Sequence, residues 1–245
     1  MSKVLLVVKV LKQCLPLYQI LNFNKMASKK KVITKDEIVS KYMEEVLEKG
    51  QKPKSVYHFA KGNDFTEAEF YSFFGTLEGL EKEIFRLFFE NTVNLLHSNE
   101  EYQQYDMKNK MLSFYFTFFE ILTANRSYVL QSLKIDRNPL KNLVQLTTLR
   151  NSFKEYVSEI LTDDYRVEQE KLQKFQEKAI QESAWLQLML TIKFWMEDES
   201  AAFEKTDIFI EKSVNASFEL MNVAPMNHLI DLGKFLFKEK IYSRP

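Results

Sequence analysis

From position 80 to position 232 the sequence contains no glycine. A stretch that long without the residue that best tolerates left-handed backbone is not built from tight hairpins. Only five Gly and five Pro occur in 245 residues, and Gly50, Gly62, Gly75 and Gly79 crowd into one short region. The long remainder is rich in Lys, Glu, Leu and Phe, with apolar residues three and four apart, the spacing of helices with one buried face. The fold class is therefore all-α. Short helices with tight corners are expected before residue 80. Long ones are expected near 78–97, 103–124, 126–133, 139–161, 165–197, 201–222 and 226–240.

Local signals place the first helices. Thr34 followed by Glu37 makes a capping box, and Gly50 stops the helix that follows. Ile38, Tyr42, Val46 and Leu47 form its expected buried face. Val56, Phe59 and Ala60 mark a second helix. Thr66 with Glu69 makes another capping box, and Phe70, Phe73 and Phe74 are expected to point inward behind it. Pro139 and Pro225 stand where a helix can begin. Leu112 to Leu122 (LSFYFTFFEIL) is apolar nearly all round, which marks a helix covered on several sides.

Composition removes several function classes. Lys+Arg and Asp+Glu both number 34, so the whole chain has no strong field for nucleic acid or acidic membranes. Cys14 is the only cysteine, which excludes a disulfide framework and points to a cytoplasmic setting. His58, His97 and His228 lack metal-ligand spacing. There is no Gly-rich phosphate loop and no nucleophile–base order, so no catalytic residue, cofactor or metal is expected, and the chain is expected not to be an enzyme. Residues 1–25 are apolar and basic, interrupted by Lys9 and Lys12. They are expected to be an upstream extension, with an amphipathic membrane-touching helix or a cleaved signal as the alternatives.

Ile38 to Gly50, Lys54-Ser55-Val56, Phe59-Ala60-Lys61, Thr66, Phe70-Tyr71, Phe73-Phe74 and Leu80 run without a gap along one pattern. Over about 45 residues this resembles the helix-turn-helix of the TetR family of transcriptional regulators. The resemblance implies a helix-turn-helix domain at 26–80 and a ligand-binding, dimerising helical domain at 81–245. DNA-facing positions would be Lys54, Ser55, Thr66, Glu67, Glu69, Tyr71 and Ser72. Here the sequence departs from the family. Asp64 stands where a Gly is usual in the turn, and Glu67, Ala68 and Glu69 head the recognition helix. From Thr34 to Leu80 there are six lysines against nine acidic residues. Non-specific DNA affinity comes from basic residues that displace counterions, so this head opposes it. Glu67 and Glu69 also suit a helix N-terminus on local grounds alone.

A second stretch, Trp195, Asp198, Ser200, Phe203, Thr206, Phe209 and then Val214, resembles the TetR-like lipid-binding proteins of ubiquinone biosynthesis, which bind an isoprenoid lipid and not DNA. The local alternative is that Asp198 or Ser200 caps a helix and that Phe203, Phe209 and Val214 are its core face.

Two further sets of residues follow from helical spacing. Phe114, Tyr115, Phe118, Phe119 and Leu122, with Trp185, Met189 and Ile192 opposite, are candidates to line a hydrophobic ligand cavity, or are plain core. On the TetR-like arrangement Trp195, Phe209, Ser213, Val214, Ser217 and Leu220 would form a homodimer interface; the alternative is a buried role within the single chain. The expected helix at 226–240 has an apolar face beside Lys234, Lys238 and Lys240, which suits the protein body or a peripheral membrane contact. The function expected is a homodimeric, ligand-binding TetR-like regulator whose acidic recognition helix makes DNA binding weak or altered. The alternative is a lipid- or isoprenoid-binding accessory protein that no longer binds DNA.

Overall fold

A computed structural model describes residues 33–134, 144–161 and 170–223. Among these the architecture is all-α, with nine α-helices and no strand. In chain order they are α1 (Lys35–Lys49), α2 (Val56–Gly62), α3 (Glu67–Tyr71), α4 (Leu77–His97), α5 (Met107–Ala124), α6 (Arg126–Lys134), α7 (Thr147–Ile160), α8 (Glu170–Glu197) and α9 (Glu204–Val223). The expected extension at 1–25 and the expected helix at 226–240 lie outside the described residues, as do the expected starts of the helices at 139 and 165.

The caps decide where the short helices begin and end. The Thr34 hydroxyl accepts from Glu37 N, and the Glu37 carboxylate accepts from Thr34 N at 2.9 Å, so the capping box is complete. Gly50 closes α1 in the left-handed region at φ 64°. Its carbonyl accepts from Gln131 Nε2 of α6 at 2.6 Å. The helix expected from 103 starts at Met107 instead, after a 3₁₀ turn at Glu100–Gln104. Asp106 sets that start, because its Oδ1 accepts from Asn109 N at 2.7 Å. Likewise a 3₁₀ turn at Ala201–Phe203 precedes α9, with Ala202 and Phe203 both at positive φ.

The chain forms two compact units. The first holds the described residues up to Gln103 together with Ser113–Phe153. The second holds Gln104–Leu112 and the described residues from Lys154 onward. This is a different cut from the functional division expected at residue 80. The first unit is knit together around α1. Glu81 of α4 is buried, accepts from the Tyr42 hydroxyl of α1, and pairs with Lys52 Nζ at 2.8 Å. Burial, and then the nearby Glu81 charge, raise the pKa of Tyr128 on α6, so this ring belongs to the same hub. Glu45 of α1 ties Asn63 at the end of α2, accepting from its Nδ2 at 2.7 Å.

Two side chains differ from expectation. Leu47 and Phe73 are exposed, whereas their neighbours Val46 and Phe74 are buried. Each lies one helical step beyond an apolar face already filled by Ile38, Tyr42 and Val46, or by Phe59 and Phe70.

Candidate functional site

Three places in the fold bring candidate residues together. The first is the α2–turn–α3 head. Ser55 caps α2, accepting from His58 N at 3.3 Å, and its hydroxyl also meets His58 Nδ1 at 2.8 Å. Phe59 is the hub of the small core, with ring centroids 5.5 Å from Tyr42, 5.1 Å from Phe65 and 6.2 Å from Phe70. The turn carries Asp64 at φ 59°. This is the left-handed position at which the sequence pattern led one to expect glycine, and aspartate is among the few other residues that tolerate it. Thr66 then caps α3. Glu69 turns back, and its Oε2 accepts from Thr66 N at 2.7 Å and from the Thr66 hydroxyl at 2.8 Å. The Glu69 carboxylate is thus engaged in the capping box. Glu67 is exposed beside it, and Ser72 donates to the Glu69 carbonyl at 2.6 Å. Lys54, Thr66, Tyr71 and Ser72 are also exposed, Ser55 is half-buried, and α3 has only five residues.

The charges of this head are unevenly free. Lys35 pairs with Glu83, Lys49 with Glu45 at 2.7 Å, and Lys52 with Glu81 at 2.8 Å. Lys61 lies over the Tyr57 ring, 5.7 Å from its centroid. Three of the six lysines are therefore paired with carboxylates of the same chain, while Asp64 and Glu67 face solvent.

The second place is the interior around α5. Phe114, Tyr115 and Phe118 are wholly buried, and Phe119 and Leu122 nearly so. Phe114 and Phe118 stack at 5.4 Å, Tyr115 and Phe119 lie parallel at 6.2 Å, and Phe153 of α7 comes within 5.2 Å of Phe114. Phe89 of α4 closes the far side at 5.7 Å. Trp185, Met189 and Ile192 belong to α8 in the second unit, where Ile192 is buried and the other two are half-buried. Spacing alone did not single out the polar groups in the first unit's interior. Ser113 Oγ, Tyr115 Oη, Thr117 Oγ1, Tyr128 Oη and Gln145 Oε1 are buried with no hydrogen-bond partner. The sequence signal for them was present but faint, as hydroxyls inside an otherwise apolar run.

The third place is the α8–α9 pair. Trp195 and Val214 are fully buried within the single chain, alongside Leu188 and Ile210. A side chain with no exposed surface has none to offer a second copy. Ser213 and Ser217 are half-buried and bonded across it to Gln187, at 3.2 and 3.0 Å. Among the described residues of the pair, Leu186, Leu190, Ile208 and Leu220 are each more than half exposed. Between the two helices lies an open groove of about 450 Å³, lined by Phe194, Ile208, Phe209 and Ser213, with Lys205 and Lys212 at its edge. Phe194 and Phe209 stack there at 4.6 Å, with 9° between the ring planes. Leu186, Leu190 and Phe194 recur four apart along α8, but a helix apolar on two faces does not reveal in sequence which face turns outward.

Asp198 locks the joint between these helices. Its Oδ1 accepts from Ser200 N at 2.8 Å and the Ser200 hydroxyl at 2.6 Å. Its Oδ2 accepts from Thr206 N at 2.9 Å and the Thr206 hydroxyl at 2.6 Å. Burial disfavours the charged form, but these bonds outweigh it and hold the carboxyl at about 2. Asp198, Ser200 and Thr206 thereby act as a local lock, which accounts for the polar half of the motif without a ligand.

No helix among the described residues is long and apolar enough to cross a membrane. Residues 110–236 match the family model described as tetracyclin repressor-like, C-terminal domain. No curated protein matches the chain.

Proposed function

The chain belongs to the tetracyclin repressor-like family, and from that premise we propose that it is a homodimeric, ligand-binding, non-enzymatic transcriptional regulator whose DNA contact is weak or altered. The observation that carries the DNA part is the state of the head's charges. The helix-turn-helix is well capped, but Lys35, Lys49 and Lys52 are consumed by internal carboxylates, and Asp64 and Glu67 face outward. A lysine already paired releases few counterions when a phosphate approaches.

The test is fluorescence anisotropy of the full chain with a labelled duplex across a salt series. Affinity no tighter than about 10⁻⁴ M at physiological salt is expected, at the weak end of non-specific binding. Glu67→Lys should tighten it by roughly tenfold and steepen its salt dependence. Micromolar, steeply salt-dependent binding by the unaltered chain would reject the weak-contact reading. The same acid-rich head favours the second reading, a lipid-binding accessory protein on this fold. That reading requires no DNA binding at any salt and an apolar ligand carried through purification.

The dimer rests on the outward stripe Leu186, Leu190, Ile208 and Leu220 with the groove between α8 and α9. Exposed apolar side chains on two long helices beside an apolar groove suit an association face. Leu190→Glu leaves the single-chain core untouched, since Leu190 is 52% exposed. It should nonetheless weaken self-association at least about a hundredfold by sedimentation, because the carboxylate would be buried unpaired. An unchanged dimer would remove this face from consideration.

A further inference from the structure

The interior around α5 holds buried hydroxyls without a hydrogen-bond partner. Tyr115 is wholly buried, edge-on to Phe114 at 6.1 Å and parallel to Phe119 at 6.2 Å, and its hydroxyl has no partner. Burial raises its pKa, so the phenol stays protonated and remains a donor. An unmet buried hydroxyl destabilises the fold unless some other state satisfies it. Ser113 and Thr117 are four apart and share one face of α5. Tyr115, two positions from each, is on the far side, in phase with Phe118, Phe119 and Leu122. Tyr115 is therefore the idle donor on the aromatic side.

The charges near this interior narrow what could meet it. Among the described residues no Lys, Arg or His is buried, so a carboxylate or phosphate brought in would have no buried counter-charge. Among the described residues the buried carboxylates of the unit are Glu81, already held by Tyr42 and Lys52, and Glu45, held by Lys49 and Asn63. A cation would therefore find no free anion either. A pure hydrocarbon would suit the rings but leave the phenol unmet.

Resting on the reading of this interior as the ligand site, we propose that Tyr115 donates a hydrogen bond to an uncharged, largely apolar ligand that carries an accepting oxygen, such as a ketone. The rings supply area for burial, and the single donor supplies discrimination. A site built around one buried donor rejects an isostere that lacks the acceptor.

The test compares three probes of similar size by titration calorimetry on the full chain: 2-acetylnaphthalene, 2-ethylnaphthalene and 2-naphthoate. The ketone should bind roughly tenfold or more tighter than either of the others. Tyr115→Phe should abolish the ketone's advantage over 2-ethylnaphthalene, while the unliganded variant melts at the same temperature as the parent or higher. Equal binding of ketone and hydrocarbon, or preference for 2-naphthoate, would overturn the proposed chemistry and leave the ligand site standing. Binding of none of the three would overturn both. A lower melting temperature for Tyr115→Phe would mean that the hydroxyl already has a partner in the unliganded protein, and would overturn the role given to Tyr115.

Discussion

Glu81→Ala is expected to lower folding stability by about 3 kcal/mol, read from urea unfolding at neutral pH. The carboxylate is 2% exposed and is the acceptor for the Tyr42 hydroxyl, itself buried. Truncation leaves that hydroxyl unmet, opens a cavity beside Tyr42, and strips Lys52 of its partner. Lys52 is partly exposed and can turn to water, so most of the loss falls on the tyrosine and the cavity. Burial first, and then the Glu81 charge, push the pKa of Tyr42 far above its ordinary value. The phenol therefore stays protonated and remains the donor. Pairing Glu81→Met with Tyr42→Phe should recover much of the loss, because replacing both partners by apolar groups leaves nothing unmet. A cost below about 1 kcal/mol for Glu81→Ala would show that the hub adds little. The hub bears on function because it fixes α1, and hence the head, to α4, while Gln131 of α6 holds the Gly50 carbonyl.

Asp198→Asn should cost about 3 kcal/mol and should also change the acid limb of the stability curve. The amide keeps one acceptor oxygen and turns N–H donors towards backbone and hydroxyl donors of Ser200 or Thr206. The folded carboxyl sits at about 2, below its ordinary value of 3.8. A depressed folded value means the contribution is present in full above about pH 4, and is lost as pH falls towards 2. The difference corresponds to about 2 kcal/mol at neutral pH. Urea titrations between pH 2 and pH 5 should therefore show a shallower loss in the variant than in the parent. Parallel curves would mean that Asp198 is not the group being protonated. If Asp198→Asn folds and self-associates as the parent does, the joint serves the geometry of α8 and α9 and not their assembly.

The head illustrates how much a local pattern can carry. The capping boxes at Thr34 and Thr66, the stop at Gly50 and the unusual Asp64 in the turn were all legible, because each depends on residues within three or four positions. The acid excess was legible too. Its meaning sharpened only when Lys35 and Lys52 were found to pair with Glu83 and Glu81, more than twenty residues away in sequence.

The interface shows the opposite case. Trp195 and Val214 have the size and spacing of contact residues, yet they are buried within the single chain, while Leu186, Leu190 and Ile208 are exposed. The hydrophobic pattern of α8 allows either face to be buried, and only the position of α9 selects one. The sequence by itself determined the all-α class, the caps, the aromatic density of α5 and the acidity of the head, all of which follow from composition and short-range backbone chemistry. The tertiary structure alone decided which apolar faces stay open, that Glu81 is a buried acceptor, that Asp198 is consumed in a joint and that the Tyr115 hydroxyl is idle. Those outcomes depend on what lies across from a side chain, and that neighbour is set by packing between segments distant in the chain.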